Sequence, residues 1–133
     1  ALKWFRMAAE QDNSKAQHAI GVMYYNGEGV TKDFAVAEKW YRKAADQDNS
    51  SAQNAIGGIY YNGEGVTKDF AEAIKWFQKA ADQDNANAQY NIGVMYYRGE
   101  SIKKDYDIAA EWFQKAADQG FAKAEEVLNV ILR

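Results

Sequence analysis

Asn49 to Asp84 reads NSSAQNAIGGIYYNGEGVTKDFAEAIKWFQKAADQD, and this unit decides the fold. Moved back by 36 residues it falls on Asn13 to Asp48 with eight positions changed. Moved forward by the same step it falls on Asn85 to Gly120 with sixteen changed. Residues 1–12, ALKWFRMAAEQD, match the end of the unit, and residues 121–133 match its beginning. A fixed period of this size is the signature of a stacked array, since one such unit cannot bury its apolar face alone. The chain therefore reads as one repeat domain over 1–133. It divides into a partial repeat (1–12), full repeats (13–48, 49–84 and 85–120) and a C-terminal helix (121–133).

Inside the unit, Ala52, Ala55, Ile56, Ile59 and Tyr60 fall at helical spacing and form one apolar stripe, which predicts a helix A near 50–61. Asn62, Gly63, Glu64 and Gly65 break it, and two glycines so close call for positive φ. Asp69 is a good N-cap, with Glu72 three residues on in capping-box register. Helix B follows near 70–82, with Phe70, Ala73, Trp76, Phe77, Ala80 and Ala81 on its apolar side. By repetition, A helices are expected near 14–25, 86–97 and 122–132, and B helices near 34–46 and 106–118, after a helix at about 1–10. Helices of about three turns are marginal alone in water, so stability must come from packing. Alanines and Gly57 would let A and B approach closely. The tryptophans Trp40, Trp76 and Trp112 and the tyrosines Tyr24, Tyr60 and Tyr96 are expected to be core.

The pattern AxxxIGxxYxxGxGVxxDxxxAxxWxxKAA resembles the Sel1-like repeat, a relative of the tetratricopeptide repeat. Its letters stand here at Ala52, Ile56, Gly57, Tyr60, Gly63, Gly65, Val66, Asp69, Ala73, Trp76, Lys79, Ala80 and Ala81. The resemblance covers essentially the whole chain. It implies an all-α protein, a right-handed α-solenoid of helix–turn–helix units, with A helices lining the inner face and B helices the outer. Three departures stand out. Asp12, Asp48 and Asp84 occupy a position usually given to Gly after helix B, where only Gly120 fits. Ser101 replaces the second loop glycine of the third repeat, so that loop is expected to differ in shape. The last helix has Asn129 at the glycine position and Leu132 at the tyrosine position.

Composition narrows the chemistry. A net charge of −3 and a pI near 5.2 argue against a nonspecific nucleic-acid binder. No apolar run approaches the roughly 20 residues of a membrane span. Without cysteine there is no disulfide or thiolate metal site, and His18 is the sole histidine. Gly27-Glu28-Gly29 and Gly63-Glu64-Gly65 lack the third glycine or the Gly-Lys-Ser/Thr of a phosphate loop. Asp46 to Ser50 opens like a calcium loop, but Ser51 and Gly57 stand where such a loop needs Gly and Glu. No catalytic, cofactor or metal site is expected. The chain opens on Ala1 halfway through a repeat and reads as part of something longer.

Positions that differ between near-identical repeats mark where recognition can live. Lys15, His18 and Val22 become Ser51, Asn54 and Gly58, then Asn87, Tyr90 and Val94. Spacings of three and four place each trio on one face of helix A, which continues through Tyr25, Tyr61 and Tyr97 to Asn26, Asn62 and Arg98. The resemblance implies that this face lines the concave groove. Rigid tyrosines among Asn and Arg suit a surface for another protein or peptide. Lys15, Arg98, Lys123 and Arg133 against one carboxylate, Glu126, would make the groove basic and favour an acidic partner. Leu2, Trp4 and Phe5 are expected to leave an open apolar end that self-associates. The expected function is a noncatalytic scaffold. The alternatives are an architectural spacer within a longer solenoid and, from the resemblance, a hydrolase of cell-wall-type substrates.

Overall fold

The computed structural model describes residues 2–131, all in helices and the turns between them. Eight α-helices follow one another: α1 (Leu2–Glu10), α2 (Ser14–Asn26), α3 (Phe34–Ala45), α4 (Ser50–Asn62), α5 (Phe70–Ala81), α6 (Ala86–Arg98), α7 (Tyr106–Ala117) and α8 (Ala122–Ile131). Helices α2, α4, α6 and α8 are A helices; α1, α3, α5 and α7 are B helices. Each helix packs on its neighbours in sequence, most closely within an A–B pair, and the result is an α-solenoid. Expected and observed ends agree within about a turn. The expectations that rest on Leu132 and Arg133 lie outside the described residues.

Every A helix within a full repeat starts on an asparagine. Asn13, Asn49 and Asn85 accept from the backbone N–H of Ala16, Ala52 and Ala88 at 2.9–3.0 Å. B helices start on Asp33, Asp69 and Asp105, which accept from Val36, Glu72 and Ile108. The second half of the expected capping box does not form. The Asp69 N–H donates to the Tyr60 carbonyl (3.0 Å) and so ties the loop back to its own A helix.

The turns out of the B helices close by the paired bonds of a Schellman motif. Asp48 N–H donates to Ala45 and Asn49 N–H to Ala44. Asp12, Asp48 and Asp84 all stand at φ 62, the left-handed conformation their position demands. Asp accepts it at moderate cost, and the next residue is already the cap of the following helix. Ser101 likewise takes φ 59, so the third A–B loop keeps the shape of the other two, where Gly29 and Gly65 stand at 73 and 74. The expected change of loop shape is absent, because Ser adopts the left-handed backbone that the turn imposes.

The fully buried aromatics are not the tryptophans as a set. Tyr41, Phe77 and Phe113, one residue after each Trp, are 3%, 2% and 1% exposed. Each ring lies flush on the A-helix glycine of its own repeat. A Cβ on Gly21, Gly57 or Gly93 would stand 2.6, 2.5 or 2.7 Å from that ring. Trp76 is buried, whereas Trp40, Trp112, Tyr24, Tyr60 and Tyr96 are half-buried. All three indoles carry a lysine three residues on, and the buried Trp76 alone also lies under the Arg42 guanidinium, 5.3 Å from its ring. Lys43, Lys79 and Lys115 stand 4.8, 4.6 and 4.3 Å from the rings of Trp40, Trp76 and Trp112.

Neighbouring glycines of α4 should therefore respond in opposite directions. Gly57→Ala drives a methyl into the Phe77 ring and should cost about 1–3 kcal/mol. Gly58, with nothing within 4 Å of an added Cβ, should gain about 0.5–1 kcal/mol as Gly58→Ala. Urea denaturation of both variants checks this; shifts of the same sign would contradict the packing.

Candidate binding groove

Repeats are joined by polar bonds as well as by the core. Gln17, Gln53 and Gln89 are 2–3% exposed at the fourth position of their A helices. Gln17 and Gln53 donate to the carbonyls of Ala9 and Ala45 in the preceding B helix (3.1 and 3.3 Å). Their amide oxygens, and that of Gln89, accept from Gln47, Gln83 and Gln119 at 2.8–3.0 Å. A buried amide satisfied on both sides fixes the register of each A helix on the repeat before it.

On the face where the repeats differ, half of the expected residues are free and half are engaged. Lys15, Ser51, Asn87, Lys123 and Glu126 are exposed. So are Asn26 and Asn62, whose amides reach back to Glu28 and Glu64 of their own loops. His18 is half-buried, 5.6 Å from the Tyr41 ring, and burial lowers its pKa. Val22 packs on the core of the first junction. Asn54 accepts from Asn91 of the next A helix (3.0 Å). Tyr90 sits between Phe113 and Phe121 at 5.4 and 5.3 Å.

The groove tyrosines are half-buried links between repeats rather than free side chains. The Tyr25 hydroxyl donates to Glu64 of the next repeat, whose two oxygens lie 2.7 and 2.8 Å away. Tyr61 donates to Glu100 (2.7 Å) and accepts from Arg98 Nη1 (3.0 Å). Its ring packs on Phe70 and Phe77. Truncating Tyr61 would thus disturb the fold, contrary to the expectation of a side chain that could be removed freely. Tyr97 is the exposed member, 42% accessible and 5.0 Å from Tyr106.

These bonds were hidden in the sequence. Glu28, Glu64 and Glu100 recur between or beside the loop glycines, and that recurrence was the available signal. The same carboxylates keep positive charge from spreading along the face. Lys15, Arg98 and Lys123 are exposed on it, and none of the three forms a salt bridge among the described residues. Tyr61, Tyr90, Val94 and Arg98 come together with Phe77 and Asn91 around one cavity of about 180 Å³ between α4 and α6. Larger, shallower clefts of about 540, 530 and 630 Å³ recur at the B–A turns, lined by charged turn residues such as Asp46, Asp82 and Lys79. No cluster of His, Cys, Asp and Glu among the described residues could hold a metal ion. No described helix is long and apolar enough to cross a membrane.

A repeating A–B helix pair, glycine-on-aromatic packing and cross-repeat amides define a helical-repeat solenoid protein. The Sel1 repeat model matches residues 1–13, 14–49, 50–85 and 86–121, and the chain belongs to the Sel1 repeat family. Such repeats are in general protein–protein interaction modules, carried by noncatalytic helical scaffolds. A protective antigen of uropathogenic Escherichia coli with an SLR fold is 43% identical, with a TM-score of 0.88 over 92% of this chain and 26% of its own. A Sel1 repeat protein from Oxalobacter formigenes is 38% identical, with a TM-score of 0.90 over 96% of this chain and 52% of its own. This chain thus spans about a quarter and a half of these two structures. Cysteine rich protein B of Helicobacter pylori shares the fold at 22% identity and a TM-score of 0.73, covering 96% of this chain and 97% of its own. No match is found among curated proteins.

The Tyr25–Glu64 bond sets a pH dependence. Burial first, and then the Glu64 carboxylate, push the Tyr25 phenol from 10.0 up to about 12. A folded pKa above the unfolded one means stability that is complete below the unfolded value and is lost as pH climbs through the folded one. Wild-type unfolding free energy should thus fall more steeply than that of Tyr25→Phe between pH 10 and about 12. Denaturant titrations across that window test the point, and parallel curves would contradict it.

Proposed function

We propose that the chain is a noncatalytic adaptor that holds another protein through the concave face of its A helices. One observation carries the reading: side chains of two successive A helices, Tyr61 with Tyr90, Val94 and Arg98, converge on a single cavity. Tyr90, Val94 and Arg98 stand at positions where the repeats diverge, on the helix face that the recurrent Tyr61 shares. The family's general role in protein interaction supports the same reading. The partner segment is a peptide or exposed strand of protein with an acidic group, since the cation that lines the cavity is Arg98. Lys15, Ser51, Asn87, Tyr97, Lys123 and Glu126 would extend the contact along the exposed helix face. Asn54, with His18, Val22 and Tyr25, would form its less accessible floor, and the exposed Asn26 and Asn62 its rim.

A second contact surface is proposed on α1. Trp4, Phe5 and Met7 are 74%, 37% and 49% exposed, a contiguous apolar face of the kind that associates. Leu2 is not part of it, being half-buried near Ala9, Ala16 and Ile20.

Affinity capture on the immobilised chain tests the groove. Tyr97→Ala and Arg98→Ala, both exposed, should leave the melting temperature nearly unchanged. Each should weaken a captured partner by about 1–2 kcal/mol, as truncation of an interface anchor does. The Arg98 effect should shrink as salt rises. Lys75→Ala, exposed on a B helix, should change nothing. Loss of binding by Lys75→Ala with both groove variants intact would move the site to the outer face.

A further inference from the structure

The geometry points to the cavity between α4 and α6 as a primary subsite for an apolar side chain flanked by a carboxylate, which Arg98 holds at the rim. The inference rests on the groove reading and sharpens it to one position and one ligand chemistry. At about 180 Å³ the cavity is smaller and more enclosed than the clefts at the B–A turns. It is close to the roughly 150 Å³ of an apolar cavity able to take a benzene-sized group. That fits one leucine-sized side chain. Phe77, Tyr61, Tyr90 and Val94 supply apolar walls.

The polar side of the cavity is equally defined. Arg98 spends one guanidinium nitrogen on the Tyr61 hydroxyl and forms no salt bridge among the described residues. Glu100 accepts from that same hydroxyl, so Tyr61 clamps Arg98 in place without pairing it to a carboxylate. The remaining N–H groups of the planar fork match a carboxylate in bidentate geometry. Two turns back along α6, Asn91 also lines the cavity and donates to Asn54 of α4, which leaves the Asn91 oxygen and the Asn54 nitrogen for the donor and acceptor of a peptide bond. The repeat before lacks this combination. Gly58 replaces Val94 and Asn62 replaces Arg98 at the equivalent positions, so the α2–α4 junction does not form the subsite.

A carboxylate beside an apolar side chain can be a C-terminus or an Asp or Glu within a chain. Four short peptides separate these sources in ¹⁵N–¹H spectra of the whole chain, added to millimolar concentration. They are Gly-Ser-Gly-Ser-Leu as free acid, the same peptide as C-terminal amide, Gly-Ser-Leu-Asp-Ser amide, and Gly-Ser-Gly-Ser-Ser as free acid. The expected result is saturable shifts at Val94 and at the Arg98 side chain with the leucine free acid, the Leu-Asp peptide, or both. Which of the two binds identifies the source of the carboxylate. The leucine amide and the serine acid should bind at least tenfold more weakly. Arg98→Gln and cavity-filling Val94→Trp should each abolish the shifts while both variants keep the wild-type spectrum elsewhere. Should Arg98→Gln bind as well as wild type, or the leucine amide as well as the acid, the carboxylate role is overturned. Shifts along Lys15, Asn87 and Tyr97 that spare Val94 and Arg98 would overturn the subsite and keep the groove. Shifts confined to α5 and α7, or none with any peptide, would overturn both.

Discussion

One contact governs the rest of this molecule: an aromatic ring packed directly on a helix at a residue with no side chain. Tyr41 on Gly21, Phe77 on Gly57 and Phe113 on Gly93 leave no room for a single carbon. The contact sets the distance between A and B helices within each repeat. It also buries a large aromatic side chain at small cost in order, because a planar ring has few rotamers to lose. With that distance fixed, the flanking alanines Ala44, Ala45, Ala80 and Ala81 can close the junction to the next A helix, where all four are 5% exposed or less. Removing the glycine would thus disturb two interfaces, the one within the repeat and the one beyond it.

Packing of small residues against rings is strong but slippery, and the register between repeats comes from polar groups. Gln17 and Gln53 each reach a carbonyl of the preceding repeat and are reached by the turn glutamine of their own. At 2–3% exposure an amide that lost either partner would carry a full desolvation cost, so a shifted stack is penalised. Tyr25 and Tyr61 act in the same way along the other edge, through Glu64 and Glu100. The tyrosines are therefore partly structural. Half-buried and bonded, they still present a ring edge to the groove.

The 36-residue period, the helix ends and the left-handed aspartates could all be read before any coordinates, because each is a local property of the chain. The 3.6-residue pattern located an apolar face on each helix. It could not divide that face between the partner inside the repeat and the partner in the next. Trp76 and Phe77 are adjacent, and both belong to the stripe of α5. Only the position of Gly57 across the interface decides that Phe77 is central while Trp76 lies at a junction under Lys79 and Arg42. The buried glutamines were invisible for a related reason. A polar residue on an A helix looks solvated until the carbonyl that accepts from it, in another helix, is placed. On the proposed groove face the sequence marked Tyr90, Val94 and Arg98 by their divergence and Tyr61 by its place on the same helix face. It could not say that these four share a cavity, nor that Phe77 and Asn91 complete it.

If the proposed groove is the site of recognition, repetition and recognition pull in opposite directions and fall on different positions of the chain. Residues that hold one repeat to the next recur at every step, because each junction must close in the same way. The groove gains nothing from recurrence, since identical sites along a stack would not tell one segment of a partner from another. Its variation is correspondingly sharp: Asn26 and Asn62 give way to Arg98, and Gly58 stands between Val22 and Val94. The recurrent bonds also serve the variable face. Arg98 on an isolated helix would lose much side-chain entropy on binding. Held by Tyr61, which Glu100 and Phe77 hold in turn, it has lost part of that freedom already. The solenoid's own cross-repeat bonds thus preorganise the one cation of the groove that lines an apolar cavity.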